Sequence, residues 1–188
     1  MYEVEVKAPV KNFEKAYNYL RKLATRVIRY HVSDTYLMHP CKDFSITDEE
    51  LRIRSEKKDD ERLILTYKGS SLCKDKTARE EIELEIPKDF YKILTKLGFR
   101  EYVKKEKVGW VFLINDFTIT LCEVKGEYRG ITVNLGYFVE VELLVREKRD
   151  IEKARKEVIE FIRKIPSVGN MDSEYYTEKI IKLAEKVC

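Results

Sequence analysis

Two runs of alternating charges, one near each end of the chain, contain the side chains best suited to chemistry. Glu3, Glu5 and Lys7 alternate with valines, and Glu140 and Glu142 flank another valine in the second run. Successive side chains of a strand point to opposite faces, so each run places its charges on one face. Four carboxylates from two strands could bind a hard divalent cation, which prefers oxygen ligands. Alternatively, each charged face contacts water, as one face of an antiparallel sheet commonly does.

Charged residues recur at the same spacing in the strands predicted between these two runs. Each set shares one strand face: Arg52 with Arg54, Lys68, Arg79 with Glu81 and Glu83, and Lys105 with Lys107. If the strands close into a barrel with the charged faces inward, about eight of them leave room for one small ligand. Unpaired charges inside a protein are costly, so such a lumen requires water, counter-ions or a charged ligand. A polyphosphate with bound Mg²⁺ or Mn²⁺ fits, and solvated faces on separate strands remain the alternative.

Hydrophobic periodicity predicts a mostly β chain that is punctuated by helices. Apolar residues at helical spacing predict helices at 11–24, 87–98, 151–162 and 174–186. Alternation and β-branched residues predict strands at 3–7, 27–38, 51–55, 62–68, 79–86, 101–107, 109–114, 117–124 and 137–146, with a charged turn at 57–61. No linker or internal repeat divides these elements, so we expect one domain over residues 1–188.

The composition narrows the class of protein. Hydrophobic residues make up 44% and charged residues 38%, which is typical of a globular but charge-rich chain. The net charge of only +3 argues against general nucleic-acid binding. No apolar stretch approaches membrane-spanning length, and the first residues are acidic, unlike those of a signal peptide. We therefore expect a cytoplasmic protein with no membrane partner. Abundant Lys and Glu without any Gln are typical of a protein from a thermophile.

Cysteine and histidine supply no competing site. The four cysteines are widely spaced without a CxxC pair, which excludes a zinc ribbon and gives no sign of a secreted disulfide framework. His31 lies in an apolar strand and His39 lies beside a proline, so we expect structural roles rather than zinc binding. The sequence also lacks a phosphate-binding glycine loop and a nucleophile elbow.

An ordered series of short segments resembles the CYTH family, also called the triphosphate tunnel metalloenzymes. Glu3-x-Glu5-x-Lys7 is similar to the signature of that family, although such a short alternation alone is weak. The likeness continues in the family's order through seven segments, at 34–37, 51–54, 66–69, 79–83, 103–107, 135–142 and 173–176. The family includes class IV adenylate cyclases, thiamine triphosphatases and inorganic tripolyphosphatases. Within it the chain is most similar to the archaeal-type class IV adenylate cyclases.

The resemblance implies an α+β fold, namely a closed antiparallel barrel of eight strands with helices outside and a tunnel that binds a triphosphate. The implied metal ligands are Glu3, Glu5, Glu140 and Glu142, and the implied metal is Mg²⁺ or Mn²⁺. The implied phosphate contacts are Lys7, Arg52, Arg54, Lys68, Lys105 and Lys107. The implied catalytic residues are Glu3, Glu5, Lys7 and Glu81, the last as an orienting acid.

The same resemblance leaves the reaction open. The implied substrate is ATP, thiamine triphosphate or tripolyphosphate, and the protein would act as a monomer or homodimer. Cyclisation of ATP and hydrolysis of a triphosphate would use the same tunnel, because only the nucleophile differs. A module that binds polyphosphate or nucleotide without turning it over is the competing hypothesis.

Two positions depart from the family pattern. Cys122 stands where relatives usually have an acid, and the neighbouring Glu123 points to the opposite strand face. Residues 127–134 separate Gly126 from Leu135, which are nearly adjacent in the pattern. We expect a lengthened hairpin at one tunnel mouth, which either reshapes access or forms an exposed extension. The missing acid keeps the non-catalytic alternative open.

Overall fold

Eight strands and five α-helices make up the part of the chain that the computed structural model describes, residues 1–57 and 61–187. The strands are β1 (Tyr2–Pro9), β2 (Arg26–Met38), β3 (Glu50–Lys57), β4 (Glu61–Ser71), β5 (Ala78–Ile86), β6 (Arg100–Ile114), β7 (Phe117–Tyr128) and β8 (Ile131–Val145). The helices are α1 (Phe13–Leu23), α2 (Phe44–Thr47), α3 (Lys88–Lys96), α4 (Ile151–Lys164) and α5 (Tyr176–Glu185), with a 3₁₀ turn at Lys148–Asp150.

The strands pair antiparallel and close into a barrel in the order β1-β5-β4-β3-β2-β6-β7-β8. β1 completes the closure, because its first residues pair with β5 and its full length pairs with β8. In the β1–β8 ladder Glu5 lies opposite Glu142, and Lys7 lies opposite Glu140. The predicted closed barrel of eight strands is therefore confirmed, and most charged residues on these faces are buried in its interior instead of facing bulk water.

Apolar residues on the outward face of the strands pack under the helices. Val4 and Val6 alternate with the charged residues of β1, and they share a buried cluster with Leu20 of α1 and Val158 of α4. α1 begins after Asn12, whose side chain accepts a hydrogen bond from a backbone N–H of the first turn. Because the helices bury the outward apolar face, the inward face is left to polar and charged side chains.

Helix α5 packs against the long β7–β8 hairpin. Ile131 and Val133 of this hairpin belong to the same apolar cluster as Ile180 of α5. Gly126 permits the contact, because a Cβ at that position would lie 2.3 Å from Ile180 Cδ1. The segment 127–134 thus forms the expected hairpin, and it supports a helix instead of projecting freely into solvent.

The strands predicted at 101–107 and 109–114 are a single strand, β6, so that prediction was wrong. Gly109 does not interrupt the strand, because it pairs with Cys122 within the β6–β7 ladder. A Cβ at Gly109 would lie 2.1 Å from the carbonyl oxygen of Leu121. The glycine therefore allows two strands to approach closely, where the sequence pattern suggested a break.

Other element boundaries also differ from the predictions. β8 begins at Ile131 rather than at 137, because its first residues form the second arm of the long hairpin. The four-residue helix α2 is too short to show a periodicity and was not predicted. The predicted charged turn at 57–61 includes residues 58–60, which lie outside the described residues. Within those residues, no helix has the length and apolar character needed to cross a membrane.

Candidate active site in the barrel lumen

The barrel encloses a cavity of about 300 Å³ on its charged face. Its wall includes eight of the residues selected from the sequence, namely Glu3, Glu5, Lys7, Arg52, Lys68, Lys105, Lys107 and Glu140. All of these except Glu5 are at most 9% exposed. The other three selected residues, Arg54, Glu81 and Glu142, lie directly beside wall residues or share their partners. Strand alternation and closure of the barrel therefore gather the selected residues in one place.

Three carboxylates form a tight group at one side of this lumen. Glu3, Glu5 and Glu142 each offer an oxygen, and these oxygens lie within 4.8 Å of one another. Burial, followed by the negative charges of Glu3 and Glu5, raises the pKa of Glu142 to about 8. Burial and the nearby acids Glu140 and Glu3 also raise the pKa of Glu5. Full ionisation of the group would therefore place more negative charge here than the surrounding bases balance.

Glu3 differs from the other two members of the group. Burial alone would raise its pKa, but Lys68 and Arg52 lower the pKa of Glu3 to about 2. Its Oε2 accepts a hydrogen bond from Lys68 Nζ, and Lys68 Nζ also lies 3.3 Å from Glu81 Oε1. Arg52 Nη2 approaches the same Glu81 oxygen at 3.6 Å. Glu81 therefore bridges two of the lumen cations.

Glu140, the fourth predicted metal ligand, lies apart from the three-carboxylate group. Lys107 Nζ donates to both of its oxygens, at 2.6 and 2.7 Å. Although burial acts to raise it, Lys107 lowers the pKa of Glu140 to about 2. The structure therefore brings three of the four predicted ligands together and pairs the fourth with a lysine.

Asp34 is a central residue of the lumen that was not selected from the sequence. Its carboxylate is fully buried and accepts hydrogen bonds from Arg54 Nε at 2.7 Å and Arg54 Nη2 at 3.1 Å. It also lies 3.0 Å from Lys105 Nζ and 3.5 Å from Arg52 Nη1. These cations outweigh burial and hold the pKa of Asp34 well below its usual range. A single acid thus fixes three of the predicted phosphate-binding side chains.

Tyr176 brings an aromatic ring from α5 into the lumen. The Nζ atoms of Lys105 and Lys107 each lie 5.1 Å from the ring centroid, and that of Lys7 lies at 5.2 Å. Lys7 also donates to the backbone carbonyl of Asp172 at 3.0 Å. Burial lowers the pKa of Lys7, and it lowers the pKa of Lys105 to about 8. The ring therefore lies within cation–π distance of three lumen cations.

Cys122 lies on the inward face of β7, as expected, but in an apolar setting. It is fully buried in one cluster with Val124, Phe138 and Tyr176. Burial, followed by the charge of Glu140, raises the pKa of the Cys122 thiol to about 12. A thiol in this setting stays neutral and acts mainly as a packing group.

The remaining cysteines and histidines lie away from the carboxylate group. Cys41 and Cys73 are free thiols, and Cys188 lies outside the described residues. His31 Nε2 lies 2.7 Å from Glu106 Oε1, and the ring nitrogen Nδ1 of His39 accepts from a backbone N–H at 3.0 Å. Both arrangements agree with the structural roles expected for the histidines.

Comparison with known proteins agrees with this fold. The chain belongs to the CYTH domain family, whose model matches residues 1–169. A protein of Methanocaldococcus jannaschii named "Putative adenylate cyclase MJ0240" is 31% identical, over 95% of this chain and 98% of its own length.

Solved structures of other proteins also share the fold. The PH1819 protein of Pyrococcus horikoshii OT3 is 34% identical, with a TM-score of 0.82 over 96% of this chain and 99% of that protein. A protein of Vibrio parahaemolyticus described as a "putative adenylate cyclase" is 16% identical, with a TM-score of 0.73 over 97% and 98% of the two chains. The second likeness supports the barrel architecture alone.

Proposed function

We propose that this protein binds a triphosphate in the barrel lumen and cleaves one phosphoanhydride bond, with Mg²⁺ or Mn²⁺ as cofactor. One observation carries the proposal: a group of three carboxylates and a set of buried cations line the same cavity. A triphosphate with its divalent cation has the complementary charge distribution, with anionic oxygens beside a hard metal ion. Membership in the CYTH family supports this proposal, as does a relative that bears the name of an adenylate cyclase.

Glu3, Glu5 and Glu142 have the donor chemistry that a hard divalent cation requires. They supply carboxylate oxygens within 4.8 Å of one another, and Mg²⁺ and Mn²⁺ both favour oxygen ligands. Burial and the charges of neighbouring acids raise the pKa values of Glu5 and Glu142, so a cation bound between them would stabilise their ionised forms. When bound there, the cation would neutralise charge on the phosphate oxygens.

The cationic side chains would bind the phosphate groups. Arg52 lines the lumen, and its buried Nε has no hydrogen-bond partner in the described part of the chain. A guanidinium can bind two phosphate oxygens at once, whereas Lys68, Lys105 and Lys107 would act as point charges. In this structure these lysines form ion pairs with acids of the lumen. Phosphate oxygens would therefore replace carboxylates as partners of the lysines.

The chemistry requires mainly positioning and charge neutralisation. In hydrolysis, water attacks a phosphorus atom, and the bridging oxygen leaves with the departing phosphate while the P–O anhydride bond breaks. In cyclisation, the ribose 3′-hydroxyl loses its proton to solvent and attacks the α-phosphorus, the bond from that phosphorus to the bridging oxygen breaks, and pyrophosphate leaves. The same lumen residues would orient the triphosphate and stabilise developing negative charge in both reactions. The products therefore distinguish hydrolysis from cyclisation.

A product assay tests the proposal directly. The protein is incubated with tripolyphosphate, thiamine triphosphate or ATP in the presence of Mg²⁺ or Mn²⁺, and the products are identified. Release of phosphate indicates hydrolysis, and formation of cAMP with pyrophosphate indicates cyclisation. Tight binding without any product would support the non-catalytic alternative, and neither binding nor product would refute the lumen as a triphosphate site.

Matched variants link any activity to the lumen. Lys105→Ala should weaken tripolyphosphate binding in a calorimetric titration, whereas Lys104→Ala removes an exposed lysine next to it and should have little effect. Glu5→Gln should remove metal-dependent turnover, whereas Glu106→Gln, on the outward face of β6, should retain it. Equal losses within either pair would show that the binding site lies elsewhere.

A further inference from the structure

A second cavity adjoins the lumen. Its volume is about 340 Å³, which lies in the range of small-molecule sites, about 300–1,000 Å³. The two cavities share five wall residues, here called the boundary: Tyr36, Glu50, Lys76, Arg79 and Tyr175. A molecule whose phosphates lie in the lumen can therefore extend across the boundary into the second cavity.

The second cavity differs from the lumen in its chemistry. Among the described residues, its only cationic wall residues are Lys76 and Arg79, both at the boundary. Beyond the boundary the wall residues include apolar and aromatic ones, such as Phe44, Tyr102 and Ile181, together with several acids. Phosphate groups would be repelled there, whereas an organic group with hydrogen-bond donors would be accommodated.

Most polar groups at the boundary are already tied to one another. The Tyr175 hydroxyl donates to Asp48 Oδ1 at 2.8 Å and accepts from Arg79. Lys76 Nζ lies 3.9 Å from the centroid of the Tyr175 ring. The second oxygen of Asp48 accepts from the backbone N–H of Ser71 at 2.9 Å. These contacts leave few acceptors free for a ligand.

Glu50 is the exception. It lies opposite Lys68 in the β3–β4 ladder and lines both cavities, so its side chain faces inward at the boundary. Within the described residues, its carboxylate forms neither a hydrogen bond nor an ion pair, unlike Glu49, which binds Lys42 and Tyr67. A half-buried carboxylate with both oxygens free is an acceptor for hydroxyl or amino donors of a ligand.

We propose that the second cavity binds the organic group of a triphosphate, and that Glu50 accepts hydrogen bonds from donors next to the phosphates. This inference rests on the proposed function of the lumen. With the phosphates in the lumen, the group attached to the α-phosphate would lie at the boundary. In a nucleoside triphosphate this group is the ribose with its two adjacent hydroxyls. One carboxylate can accept from both hydroxyls at once. The aromatic wall beyond it suits a base, so Glu50 selects nucleoside triphosphates over inorganic tripolyphosphate.

Calorimetric titration of three ligands tests this selection. Tripolyphosphate, ATP and 2′,3′-dideoxy-ATP are titrated in EDTA, which prevents metal-dependent turnover. The wild-type protein should bind ATP about 10- to 100-fold more tightly than dideoxy-ATP, as expected for hydrogen bonds to a charged acceptor. Glu50→Ala should remove this difference while changing the tripolyphosphate affinity less than about twofold. Glu50→Gln, which keeps the side-chain size, should show an intermediate difference, and Glu80→Ala, at an exposed position on β5, should match the wild type.

The outcomes separate this inference from the proposed function. Equal losses of tripolyphosphate and ATP affinity in Glu50→Ala would overturn the role of Glu50 while leaving the lumen intact. An unchanged preference for ATP over dideoxy-ATP in that variant would overturn it as well. The wild-type comparison of ATP with dideoxy-ATP needs no substitution, so it remains decisive if a variant folds poorly. Failure of all three ligands to bind in EDTA, and of tripolyphosphate to bind with Mg²⁺ as well, would refute the proposed function, and this inference with it.

Discussion

Asp34→Ala should destabilise the protein more than any ordinary surface substitution. Asp34 is fully buried and lies within 2.7–3.5 Å of Arg54, Lys105 and Arg52. Removing one partner of a buried ion pair costs about 3–5 kcal/mol, because the remaining charge stays buried without compensation. For a chain of this size, 1 kcal/mol lowers the melting temperature by about 2–4 °C, so we expect a fall of about 6–20 °C.

A polyanion should restore much of this loss. Tripolyphosphate would bring anionic oxygens to the same cations, and a ligand at one hundred times its Kd stabilises by about 2.7 kcal/mol. Thermal melts of Asp34→Ala and the wild type, each with and without tripolyphosphate, measure both effects. Glu85→Ala removes the acid of an exposed pair with Arg62 and serves as the control, with no measurable change expected. If the melting temperatures of Asp34→Ala and Glu85→Ala agreed, the buried network would not contribute the stability argued here.

Three further predictions concern the metal, the pH dependence and the odd thiol. Glu142→Gln should reduce Mg²⁺-dependent turnover to below about 1% of wild type, because it removes one ligand of the metal. The same variant should melt at a higher temperature in EDTA, because it removes one of three crowded acids. Normal activity would exclude Glu142 from the metal site. In EDTA the melting temperature of the wild type should fall as the pH rises from 5 to 8. Folded Glu142, with its pKa raised to about 8, keeps its proton in this range, whereas in the unfolded chain it loses the proton near its ordinary pKa of 4.5. Glu142→Gln should flatten that slope, and an equal slope in both proteins would contradict the assignment. Cys122→Asp should cost about 3 kcal/mol in a denaturant titration, because it buries a carboxylate among apolar groups, whereas Cys122→Ser should cost less; the reverse order would show that Cys122 contacts water or metal.

The inward charges could be predicted because strand alternation is a local property. Glu3, Glu5 and Lys7 share a face whatever their strand pairs with, and so do Arg52 and Arg54. The order of strands around the barrel is not local, because β1 pairs with β5 and β8 from distant parts of the chain. The position of Glu140 beside Lys107 rather than beside the other three glutamates depends on that order.

Asp34 and Glu50 escaped prediction for related reasons. Asp34 lies in the family-like segment 34–37, but it received no role because it is a single acid with no second acid two positions away to mark a charged face. Glu50 ends a run of acids, which reads as a solvated turn, yet the residue begins β3 and faces inward. In both cases the signal lies in the contacts made by distant strands, which a single sequence does not display.

The support that the β7–β8 hairpin gives to α5 has a consequence for how ligands enter and leave. Backbone hydrogen bonds between neighbouring strands fix the diameter of the closed barrel. Separating two strands would break these hydrogen bonds and would therefore be costly. Helix α5 is attached through side-chain packing, and its Tyr176 forms part of the lumen wall. Local detachment of a packed helix costs less than opening a ladder at the core. The residence time of a bound molecule should therefore depend on how tightly the hairpin packs against this helix. A longer hairpin would slow dissociation of the ligand.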